Sequence, residues 1–132
     1  TYERNFPYLE SASTAFHLCL DTVLDRVLVI LIQNKRRKES FLNKKLKEVY
    51  QKIPYSPYFI PFERASGLPV SSLLEMAYKT PENFVKKVLE NAERAGIIRK
   101  VKGFYELGET GKIIFQKEIK PRKKELKQLQ LD

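Results

Sequence analysis

The sequence predicts a mainly α domain with a small β-hairpin, and three observations carry that prediction. Apolar residues recur at helical spacing within 14–34, 41–50, 70–78 and 84–95. Past Gly96 the pattern changes to two short runs, Ile97 to Val101 and Phe104 to Leu107, separated by Lys102-Gly103, a tight-turn candidate. Four prolines and a glycine between Ile53 and Pro69 forbid a long helix there. The expected organisation is an arm over 1–13, a domain over 14–116 and a basic helical tail over 117–132.

In chain order, the arm carries Tyr2, Phe6 and Tyr8 around a break at Pro7, rings expected to pack on the domain. Ser13 or Thr14 caps a helix running to about Asn34. Phe16, Leu20, Val23, Leu24, Val27, Leu28, Leu31 and Ile32 give that helix a wide apolar face. β-branched Val27, Val29 and Ile30 leave a strand as the alternative, and length favours helix. It serves as a first core helix or a dimer helix. A second helix carries Phe41, Leu42, Leu46, Val49 and Tyr50.

Residues 53–69 read as a loop with a short edge strand at Tyr58 to Ile60. Tyr55, Tyr58, Phe59, Ile60 and Phe62 clamp this loop to the core or, less favoured, stack on bases or hold a partner. Val70 to Tyr78 forms the next helix, burying Leu73, Leu74, Ala77 and Tyr78, and a turn without glycine follows at Lys79-Thr80.

Thr80-Pro81-Glu82 then starts the best-marked helix: a cap, a proline at the first helical position and a carboxylate at the positive end of the dipole. Phe84, Val85, Val88, Leu89, Ala92 and Ala95 form its apolar face, and Gly96 closes it. A last helix carries Ile113, Ile114 and Phe115 and is interrupted by Pro121. Beyond it, Leu126, Leu129 and Leu131 fit a partner-dependent helix, a phosphate-touching extension or a disordered tail.

A net charge of +9 favours a polyanionic partner, nucleic acid before an anionic membrane surface. The excess is concentrated: Lys35 to Lys52 holds eight basic and two acidic residues. Lys35, Arg36, Arg37, Lys38, Lys44 and Lys45 are therefore the expected phosphate contacts, with Lys47 and Lys52 extending the face. The longest apolar run, Val27 to Ile32, is too short to span a bilayer, so no membrane span is expected.

Three segments resemble the C-terminal half of a winged helix-turn-helix domain: Ala95-Gly96-Ile97-Ile98, Phe104-Tyr105-Glu106-Leu107 and Gly108-Glu109-Thr110-Gly111-Lys112. The resemblance is strongest over 70–115, and implies a winged-helix-like domain with an extra N-terminal helix. It further implies that Glu82, Asn83, Lys86, Lys87 and Glu90 face the major groove, with Asn83 and the lysines reading bases. Arg99, Lys100 and Lys102 would then be wing residues on the backbone or minor groove. The superfamily also uses this fold as a protein-docking surface.

No catalytic constellation emerges. His17 and Cys19 are two apart, which turns their side chains to different sides of a helix, and no other His or Cys completes a metal site. Gly108 to Lys112 fails as a phosphate-binding loop, because Glu106 stands where its first glycine belongs and Ile113 where its hydroxyl belongs. One cysteine excludes an internal disulfide. No enzyme, cofactor or metal is expected. The expected function is DNA binding, with RNA or single-stranded nucleic acid as alternatives, in a transcription regulator of the cytoplasm or nucleoid. The alternative is an accessory, protein-docking subunit of a replication, transcription or RNA-processing assembly, with a protein partner or a second copy.

Overall fold

The computed structural model describes residues 16–17, 20–33 and 35–121. The fold is mainly helical with one small antiparallel sheet. The expected arm, the residue Cys19 and most of the tail lie outside the described residues.

Residues 20–32 form helix α1, and Leu20, Val23, Leu24, Val27, Leu28, Val29 and Ile32 are buried along it. So broad an apolar face belongs to a helix covered on several sides, and this one runs through the core. It ends at Gln33, whose φ of 48° leaves helical space. Arg37 donates from Nε to the Leu31 carbonyl at 3.1 Å, satisfying one of the acceptors that the helix end exposes.

The basic run does not simply continue into a helix. Arg37–Lys38 is a strand, β1, followed by α2 at Glu39–Lys52. Strands β2 (Ile98–Val101) and β3 (Phe104–Leu107) form the expected hairpin, and β1 pairs with β3, giving the order β1-β3-β2. The turn has φ of 51° at Lys102 and 81° at Gly103, the pairing of left-handed residues that matches the twist of two short strands. The sheet thus gains a third strand, too short for alternation to reveal.

The proline-rich segment corrects an expectation. There is no edge strand at Tyr58 to Ile60. Ile53–Tyr55 and Pro57–Phe59 are single 3₁₀ turns, and Ile60–Ser66 is a helix, α3. Pro54, Pro57 and Pro61 each occupy the first turn of one of these pieces, where no backbone N–H is needed. The prolines start short helices. Phe59 is buried against Phe16, ring centroids 5.4 Å apart, and Phe62 lies 5.8 Å from the same ring. The clamp is real for those two residues, while Tyr55 is 87% exposed.

Helix α4 is Val70–Tyr78 and α5 is Pro81–Arg94, joined by Lys79 and Thr80. Thr80 accepts from the Asn83 backbone N–H at 3.2 Å, as a cap should. Lys79 lies at φ 67°, ψ −49°, and the Thr80 N–H reaches the Tyr78 carbonyl at 2.8 Å. That is a γ-turn of the rare positive-φ kind, made here without glycine. Phe84 is fully buried, between Tyr50 of α2 at 4.9 Å and Tyr78 of α4 at 5.0 Å.

At the other end of α5 the Ile97 N–H bonds the Ala92 carbonyl at 2.9 Å and the Gly96 N–H the Glu93 carbonyl at 3.1 Å, with Gly96 at φ 78°. This is the Schellman closure. The Gly108–Gly111 segment then docks on it. Gly108 donates to the Ile97 carbonyl and Thr110 to that of Gly96, and a Cβ on Gly108 or Gly111 would collide with the carbonyl oxygens of Gly96 or Ile97. Those glycines serve close backbone approach. Helix α6 (Glu109–Ile114) follows and passes into a wider π turn over Phe115–Ile119. Ile119 is 2% exposed and Glu118 pairs with Arg26 at 3.0 Å, so the packed unit extends past the expected boundary at 116.

Candidate nucleic-acid interface

Most of the expected site residues border one of two separate surfaces, one of mixed charge and one strongly cationic. The first lies along α5. Lys86 lines a groove with Glu39, Asn43 and Lys47 of α2, Glu82, Glu90 and Glu93 of α5, and Lys100 of β2. Four carboxylates there face three lysines. Lys47 sits 3.6 Å from Glu82, and Lys100 donates to Glu39 at 3.2 Å, a bond that raises the lysine's pKa. Such a groove gives phosphate no net attraction.

Lys87 points elsewhere. Its ammonium donates to the Ala77 carbonyl at 3.2 Å and lies 5.6 Å from the centre of the Tyr78 ring. It closes the end of α4, where the helix dipole favours a cation. Asn83 is exposed on α5, its backbone N–H held by the Thr80 cap. The three residues expected to read bases therefore do not form one cationic face.

The second surface surrounds β1 and is strongly cationic. Lys35, Arg36, Arg99 and Lys112 border one depression with Gln33, Glu106 and Leu107. Arg36, Arg37, Lys38 and Lys44 border the adjoining one with Ser40, Phe41 and Phe104. Seven basic side chains thus share this face with a single carboxylate.

Cross-strand register explains how they come together. Arg99 stands opposite Glu106, Val101 and Lys38 opposite Phe104, and Lys100 and Arg37 opposite Tyr105. Alternation sends Ile98, Tyr105 and Leu107 inward, all buried, and leaves Arg99, Glu106 and Phe104 on the outer face. Glu106 accepts from Arg99 at 2.6 Å through one oxygen and from Arg36 at 3.1 Å through the other. The Arg99 bond, with help from Arg36, holds its carboxyl below the usual range. One carboxylate thus aligns two guanidinium groups side by side.

Aromatic rings interleave with the cations. The Arg37 guanidinium lies 4.6 Å from the Phe41 ring centre and the Lys45 ammonium 5.9 Å from it. Phe104 is 37% exposed. Lys45 also pairs with Glu48 at 3.6 Å, whereas Lys44 joins the basic depression. Lys102 is exposed at the hairpin tip. Lys35 to Lys38, expected from the basic run, border these depressions together with Phe104 and Lys112, which the charge pattern alone does not single out. The alternation of Phe104 against buried Tyr105 was the available signal for the first.

The remaining chemistry is sparse. His17 packs edge-on against Phe16 at 5.9 Å and Tyr78 at 6.3 Å. Among the described residues no group of three His, Cys, Asp or Glu side chains could hold a metal ion, and no helix is long and apolar enough to cross a membrane. Neither a protein-family model, nor a curated protein, nor a solved structure matches the chain.

Proposed function

We propose that this chain is a nucleic-acid-binding protein that grips phosphates through the cationic face around β1. The observation that carries this reading is the ratio of seven basic side chains to one carboxylate over two adjoining depressions. Phosphate contacts of this kind supply affinity and fix orientation without reading sequence. The helix-turn-helix formed by α4 and α5, with the hairpin behind it, is in keeping with the winged-helix resemblance and with a role in transcription. On α5 the exposed Asn83 is the remaining candidate for base contact, since Lys87 is bonded to α4 and Lys86 lies among carboxylates.

The test compares two charge reversals by fluorescence anisotropy with a labelled duplex at several salt concentrations. Arg36→Glu with Lys38→Glu should weaken binding at least about tenfold and lower the salt slope by about two. Lys86→Glu should leave both nearly unchanged. Unaltered isotherms for the first variant, with its thermal unfolding intact, would overturn the proposal.

The accessory-subunit reading draws on apolar side chains of the proline-rich segment, where Tyr55 and Ile60 are exposed by 87% and 42%. Weak, sequence-blind binding by the isolated chain, together with loss of a defined complex in Tyr55→Ala, would favour it.

A further inference from the structure

Two features of the β1 face exceed what phosphate contact requires. Phe104 stands on the solvent side of the sheet, 37% exposed, when the same strand buries Tyr105 and Leu107. Its cross-strand neighbours are Lys38 on one side and Val101 on the other. Phe104 and Phe41 border the same depression, whose other borders are Arg36, Arg37, Lys38, Ser40 and Lys44, with no carboxylate. At 37% exposure part of the Phe104 ring is open to solvent among these cations, where a base could reach it.

We infer that this depression takes an unpaired nucleic-acid strand, with Phe104 stacking on a base while Lys38, Arg36 and Lys44 hold the flanking phosphates. The inference rests on the nucleic-acid reading above and adds the substrate class. The chemistry favours single strands because bases in a duplex are already stacked and paired, so they have no face to give. An aromatic platform inside a cationic track is how sequence-tolerant binding to single strands is built. Charge complementarity selects the polyanion, and the ring selects its unpaired form.

The full chain is tested with labelled oligothymidylate, oligouridylate, a short duplex and an abasic strand of equal length, which keeps the phosphates and removes the bases. Both base-bearing single strands should bind about tenfold more tightly than the abasic one. Phe104→Ala should abolish that margin and leave abasic and duplex binding unchanged. The chain has no tryptophan, so Phe104→Trp introduces a lone indole at the site. Its fluorescence should be quenched by either oligonucleotide and not by the abasic strand. A preference for either single strand over the duplex and the abasic strand, lost in Phe104→Ala, supports the assignment. Equal affinity for abasic and base-bearing strands, or a duplex preference untouched by Phe104→Ala, overturns this inference and leaves the phosphate reading intact. Absence of binding to every probe overturns both.

Discussion

Lys87 of α5 donates its ammonium proton to the carbonyl of Ala77, 3.2 Å away in the last turn of α4. A residue that sequence assigns to base reading is thus part of the joint between two helices. Lys87→Ala should cost about 0.5–1 kcal/mol of stability through one lost charge-assisted bond at a helix end. Nucleic-acid affinity should be unchanged. Denaturant unfolding together with anisotropy checks the pair of outcomes, and a stable variant that binds poorly would return Lys87 to the interface.

Glu106 is the one carboxylate on the cationic face and it engages both Arg36 and Arg99. Glu106→Gln should tighten nucleic-acid binding a few-fold at low salt, because an exposed like-sign charge is removed. The pH dependence has a definite sign. Its pKa is lowered by the Arg99 bond, so the pairing stabilises the fold above the ordinary value of 4.5 and is lost as pH falls through the folded value. The variant should lack that acid-side loss in a pH series of thermal melts.

Asp25 behaves in the opposite sense. Burial, with Asp21 adding to it and Arg26 opposing, raises its pKa from 3.8 to about 6. The folded state then holds the proton more tightly than the unfolded chain, so stability falls as pH rises from about 3.8 to about 6 and is level above. A shift of two units is worth roughly 3 kcal/mol at full value, and partial exposure screens this to about 1 kcal/mol. Asp25→Asn should gain about 1 kcal/mol at neutral pH by this mechanism. The gain should vanish below about pH 4, and a variant curve parallel to the parent's across the window would reject it.

The γ-turn at Lys79 holds a non-glycine residue at φ 67°. Strain of this kind costs about 1–3 kcal/mol, and glycine relieves it at an entropic cost of about 0.5–1 kcal/mol. Lys79→Gly should therefore stabilise the fold by about 1 kcal/mol and raise the melting temperature by about 3–5 °C. Calorimetry decides it: an unchanged or lower melting point shows the turn to be relaxed with lysine in place.

Local chemistry was sufficient wherever one residue acts on its neighbours in sequence. Thr80-Pro81 starts a helix and Gly96 stops it because capping and left-handed closure involve only adjacent backbone groups. Lys102-Gly103 turns the hairpin for the same reason. The proline-rich segment misled because proline both breaks a helix interior and begins a helix, and only packing of Phe59 and Phe62 on Phe16 favours three short starts over a loop.

The candidate site divides in the same way. That the chain is basic, and most basic between Lys35 and Lys52, is a property of composition that no fold can change. Which cations share a face depended on tertiary structure. A two-residue strand carries no periodicity, yet the pairing of β1 with β3 brings Arg36 and Lys38 beside Arg99 and Phe104, some sixty residues later. The contact of α2 with α5 meanwhile surrounds Lys86 with glutamates. Charge is additive along a chain, whereas an electrostatic surface depends on distances that only long-range contacts set.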